Sequence, residues 1–99
     1  MKNIQLPGRK LQPAQMEAFG FLDMGGESVY FGMLGAGKYR LELHVSPAGD
    51  ILAGVFDRAT DEEIDIDALS GMDSSMAEKL RADYEVILHA FSNHCSDPV

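Results

Sequence analysis

Tyr39, Leu41, Leu43 and Val45 alternate with Arg40, Glu42, His44 and Ser46. This period of two predicts a strand with the first set facing inward and the second facing water. The next five residues, Ser46 to Asp50, supply turn chemistry: Pro47 can preset one backbone angle and Gly49 is free to take a positive φ. Ile51 to Asp57 then returns as the partner strand of a hairpin. Upstream, Ser28 to Leu34 is rich in strand-favouring residues, and Phe21-Leu22 reads as a brief strand entering a turn at Asp23-Met24-Gly25-Gly26. Downstream, Arg58 to Asp61 is a second turn. Glu62 to Asp67 alternates Ile64 and Ile66 with acids, which suits an edge strand whose charges discourage pairing with other chains.

Two segments follow a helical period instead. Gln12 to Gly20 has Pro13 where a first turn tolerates it and glycine where helices stop, predicting a short helix over 13 to 19 with Met16 and Phe19 turned to the core. Met76, Leu80, Tyr84, Ile87, Leu88 and Phe91 recur at spacings of three and four, so a helix of about five turns runs to near Asn93. Ser75 with Glu78 matches a capping box at its start. The economical architecture is α+β: an antiparallel four- to five-stranded meander covered by the long C-terminal helix, with a short N-terminal helix, in a two-layer sandwich.

The apolar pattern exceeds what one sheet face can bury. Tyr30, Phe31 and Met33 occupy both sides of one strand, as do Val55 and Phe56 of another. The six methionines, Met16, Met24, Met33, Met72 and Met76 among them, suit irregular cores and adaptable surfaces alike. An apolar patch left over is expected to meet a partner.

Length and charge narrow the classes. Ninety-nine residues fit one domain, read as a leader over 1–10, an α+β domain over 11–95 and a tail over 96–99. One cysteine forms no internal disulfide, and no apolar run approaches the roughly 20 residues of a membrane span. A cytoplasmic location with no membrane association is therefore the expectation. The chain carries −8, but residues 1–16 hold Lys2, Arg9 and Lys10 with no acid, leaving −11 on the remaining 83. Such a body repels phosphate, which disfavours direct nucleic-acid binding except through the basic leader.

Several constellations invite chemistry. Gly32 to Lys38 satisfies the G-x-x-x-x-G-K part of a phosphate loop, yet position 39 is tyrosine and the segment beyond reads as a strand where the motif needs a helix N-terminus. The reading is a glycine-rich hairpin loop. The acids between Asp57 and Asp67 have a composition suited to calcium, but an EF-hand register from Asp65 meets Leu69, Ser70 and Met76 at required positions. His89 and His94 diverge by about 140° on a continuous helix, and His94 with Cys95 makes too few ligands for structural zinc. An enzyme would draw on His44 or Cys95, with no spacing that sets either beside a catalytic partner. No catalytic, cofactor or metal residue is assigned, and no cofactor is expected.

The strings YRLELHVSPAGDILAGVFDRATDEEIDIDAL and KLRADYEVILHAFSNHC carry a further signal. Their hairpin, aspartate, threonine-and-glutamate turn, acidic strand and helix ending near a cysteine resemble the N-terminal region of two-domain bacterial proteins with a C-terminal YjbR/MmcQ-type domain. The matching positions are Asp57, Thr60, Glu62, Glu63, Arg81, Tyr84, Glu85, Leu88 and Cys95. The resemblance implies the same α+β fold over about 13 to 95 and a downstream YjbR-like domain as a partner. That domain bears the DNA-binding label of the group and is absent from these 99 residues. The expected function is a non-enzymatic protein-interaction or accessory module acting on a protein partner or as a homodimer. The alternatives are an accessory part of a nucleic-acid-associated protein and a small enzyme using His44 or Cys95.

Overall fold

The alternating segments pair mostly in the order in which they occur. The computed structural model describes residues 1–4, 13–69 and 71–94. Along the chain these form β1 (Lys2–Ile4), α1 (Pro13–Phe19), β2 (Leu22–Met24), β3 (Glu27–Leu34), β4 (Tyr39–Val45), β5 (Ile51–Asp57), β6 (Glu63–Ile64) and α2 (Ser74–His94). The strands make one antiparallel sheet in the order β1-β5-β4-β3-β2, with β6 also paired to β5. The meander β2 to β5 is joined by short turns. The β3–β4 connection takes Gly35, Ala36 and Gly37 through positive φ, and the β4–β5 turn is closed by Ser46 N–H donating to Asp50 O at 2.9 Å.

β1 departs from the leader expected over residues 1–10. Lys2, Asn3 and Ile4 pair with Ala53, Leu52 and Ile51, filling half of an edge that β5 would otherwise present with unpaired amides. Residues 5–10 of that leader, Cys95 and the 96–99 tail lie outside the described residues. β6 fills the other half of the same edge and is shorter than the expected 62–67 strand. Asp65 ends it by accepting the Asp67 amide on Oδ1 and the Ala68 amide on its carbonyl, which sends Ile66 and Leu69 into the core.

One face of the sheet is covered. Tyr30, Gly32 and Leu34 share it with Tyr39, Leu41 and Leu43 by register, and α2 lies across them with Leu80 and Phe91 fully buried. Gly32 permits this approach, because a Cβ there would stand 3.0 Å from Ile87 Cδ1. Gly35 does likewise at the end of β3. Its φ is +58°, and a Cβ would meet Leu80 Cδ2 at 2.9 Å. From α1 and the residues around it, Phe19 and Phe21 join Tyr30 and Phe91 in an aromatic cluster with neighbouring centroids 4.9 to 6.0 Å apart. α2 begins one residue ahead of the expected cap. Asp73 holds the N-cap position, its Oδ2 accepting the Met76 amide at 3.4 Å, while Ser75 is exposed inside the first turn.

The two faces therefore differ in energy. Phe91→Ala should destabilise the fold by about 3–5 kcal/mol, whereas Phe31→Ala, on the other face, should cost less than about 1 kcal/mol. Denaturant midpoints of the two variants measure the difference, and equal losses would contradict this sidedness.

Candidate functional site

Residues that alternate with the core set emerge on the opposite face of the sheet, where no described helix lies. Register places them in rows. Leu22, Val29, His44 and Leu52 form one row, Phe31, Glu42 and Gly54 the next, and Met33, Arg40 and Phe56 a third. Among the described residues seven large hydrophobics are exposed. Met1, Leu22, Met24, Phe31, Met33 and Leu52 belong to this face, and only Val86 belongs to α2. Their exposures on the face run from 37% to 57%, a concentration that scattered surface residues do not produce. The methionines divide accordingly, with Met16, Met72 and Met76 packed in or against the core and Met1, Met24 and Met33 on the open face.

A polar stripe along β4 crosses this apolar field. Glu42 lies between Arg40 and His44, accepting from Arg40 Nε at 2.7 Å and contacting His44 Nε2 at 2.8 Å. The other imidazole nitrogen, Nδ1, lies 2.5 Å from Glu27 Oε1. Arg40 also donates to Asp61 at 3.1 Å and stacks over the Phe56 ring at 5.0 Å. Beside the stripe, Gly54 leaves room for Met1 and Phe56 to close over the backbone, since a Cβ would lie 2.9 Å from each.

Burial pulls the His44 pKa down, but hydrogen bonds and charge from Glu27 and Glu42 outweigh it, and the net shift is upward from 6.5. With a carboxylate at each ring nitrogen, the geometry suits an imidazolium donating twice. An imidazole so engaged has no free nitrogen with which to accept a proton from a nucleophile.

The other candidates separate in space. In the phosphate-loop match, Gly32 belongs to β3 and Lys38 leads directly into β4, while the Gly35 amide donates to Asp83 Oδ2 at 2.9 Å. A carboxylate thus holds the amide that a phosphate would need. Among the acids from Asp57 to Asp67, Asp57 Oδ1 accepts the Ala59 amide, Asp61 binds Arg40, Glu63 binds the Met1 amine and Asp67 binds Lys2. Among the described residues no group of three or more ligand-type side chains converges for a metal, and no helix is long and apolar enough to cross a membrane. His89 is exposed on α2, and His94 packs its ring 5.5 Å from Phe19. A cleft of about 540 Å³ opens where β1 and β6 meet, lined by Met1, Gly54, Glu63, Asp65, Asp67 and Tyr84 among others.

The cluster of His44 with Glu27 was not evident in the sequence. Seventeen positions separate the two, and only the register of the β3–β4 hairpin brings them together. The class defined by fold and surface is a two-layer α+β domain with one sheet face that no helix among the described residues covers, although Val29 on that face is closed over by its neighbours. No family model, curated protein or solved structure matches the chain. The YjbR/MmcQ resemblance accordingly rests on sequence features alone, and its residues have structural duties here: Asp57 and Thr60 accept turn amides, and Tyr84 and Leu88 pack on the core.

The raised His44 pKa gives stability a direction with pH. Its contribution is fully present below the unfolded value near 6.5 and is lost as pH rises through the higher folded value. The unfolding free energy of wild type relative to His44→Gln should therefore shrink between about pH 6 and about pH 8. Paired denaturant titrations measure it, and a pH-independent difference would contradict the two-carboxylate clamp.

Proposed function

We propose that this chain is a non-enzymatic interaction module that binds a protein surface through the open face of its sheet. The carrying observation is the gathering of six exposed large hydrophobics on that face around a polar stripe. Aromatic, methionine and arginine side chains at the centre of a patch are the composition of protein interfaces, and Phe31, Met33, Arg40 and Phe56 supply it. The face is also the part of the molecule least marked by its acidity. With His44 protonated, Glu27, Glu42, Asp61 and Glu63 stand against Arg40, His44 and the Met1 amine. A near-neutral, apolar partner surface fits this balance better than a polyanion. Lys2, the described cation of the basic leader, is held by Asp67, which also weighs against phosphate contact there.

A photo-cross-linking amino acid in place of Phe31 should yield protein adducts in living cells, and the same group in place of Val86 should not. Absence of adducts at position 31, or equal yields at both positions, would overturn the reading.

A further inference from the structure

We infer that His44 works a one-sided strap on the open face: when the imidazole gives up a proton it keeps Glu42 and releases Glu27, and the release uncovers Val29. The device needs no partner, so it stands or falls apart from the interaction reading above.

Val29 is 2% exposed and belongs to the open face, yet it lies outside the contiguous core cluster beneath α2. By register its cross-strand neighbours are His44 on β4 and Leu22 on β2, while Glu27 and Phe31 flank it two positions away along β3. No described helix lies on this face, so side chains of the sheet itself keep water from Val29. The 2.5 Å contact between His44 Nδ1 and Glu27 Oε1 runs diagonally across the β3–β4 pair and closes that ring of neighbours.

An imidazolium has two N–H donors, one for each carboxylate. A neutral imidazole has one, and its bare nitrogen turns a lone pair on the second carboxylate, so one of the two contacts must open. The surroundings decide which. The Glu42 side chain is 15% exposed, and its Oε2 is held by Arg40 Nε at 2.7 Å. The Glu27 side chain is 43% exposed, and among the described residues its carboxylate has His44 as its one partner. Although the Glu27 contact is the shorter, 2.5 against 2.8 Å, Glu27 can turn into water, whereas Glu42 cannot move without breaking the Arg40 pair. The neutral ring therefore keeps its proton on Nε2, facing Glu42, and leaves Nδ1 bare.

The other elements around the ring do not alter this choice. On β5 the residue opposite His44 is Leu52, and β1 sets the uncharged Asn3 beyond it. Arg40 of β4 is shared with Asp61 from the turn before β6. Asp23 of β2 turns Oδ1 to the Gly26 amide, and Asp50 of the β4–β5 turn is exposed. Burial opposes charge on the ring, but Glu27 and Glu42 outweigh it and raise the His44 pKa above 6.5. The strap is closed below that raised value and open above it.

Nitrogen-15 NMR of the histidine-labelled full chain, titrated from about pH 5 to about pH 9, reads the proton positions. With rising pH, His44 Nδ1 should move to the unprotonated shift while Nε2 stays protonated. The Val29 methyls should gain relaxation from a neutral, soluble nitroxide with the same midpoint, and the methyls of the fully buried Leu43 should not. In Glu27→Gln the side-chain amide can donate to a bare Nδ1, so the midpoint should fall toward 6.5 and Val29 should stay covered throughout. A neutral His44 carrying its proton on Nδ1, Val29 methyls that remain protected at high pH, or an unchanged Val29 response in Glu27→Gln overturns the inference. The wild-type spectra decide the first two without any variant, and none of these outcomes bears on cross-linking at position 31.

Discussion

Packing of Leu80, Ile87 and Phe91 onto the inner rows of β3 and β4 is the interaction on which the other elements depend. It holds α2 close enough that a Cβ at Gly32 or Gly35 would crowd Ile87 or Leu80, and it gives α1 a place to insert Phe19 beside Phe91. The Gly35 amide is tied to Asp83 of the same helix, so the β3–β4 turn is anchored to the layer that covers it. The helical layer lies against one side of the sheet, and the apolar side chains that alternate outward are left without it. A surface such as the one built by Phe31, Met33 and Leu52 is the geometric result of two-sided strands meeting a one-sided cover.

The polar stripe gives that surface its order. Arg40, Glu42 and His44 are residues that a solvent-facing strand would contain in any case, but register converts them into a chain of contacts reaching from Asp61 to Glu27. Such a chain fixes long side chains within the fold itself, which would lower the ordering cost of the proposed association. The apolar rows on either side provide area, while the stripe provides direction along the face.

The α+β fold was legible because its elements obey simple periods: alternation in 39–45 and three-four spacing from Met76 to Phe91 leave little freedom in secondary structure or sidedness. The overflow of apolar residues beyond one face was legible for the same reason, in Tyr30 against Phe31 and Val55 against Phe56. Features that depend on distant pairing were hidden. Nothing in Lys2-Asn3-Ile4 identifies Ile51 to Ala53 as its complement, and three residues are too few for a period to emerge. The His44–Glu27 contact needs a hairpin register set by a turn of three consecutive positive-φ residues, one of them Ala36, which composition alone does not announce. The helix cap moved from Ser75 to Asp73 because either residue satisfies the same hydrogen-bonding rule.

The end-to-end arrangement of β1 and β6 along β5 also has a temporal side. Lys2 pairs with Ala53 and Ile4 with Ile51, so during synthesis β1 leaves the ribosome about fifty residues ahead of the strand that accepts it. The hairpins from β2 to β5 close through local turns, whereas β1 must bridge a long loop of chain, which costs more entropy and is slower to recover. β1, made ahead of the rest of this sheet, is therefore expected to settle after the local hairpins, completing the outer edge of β5 on a sheet already formed.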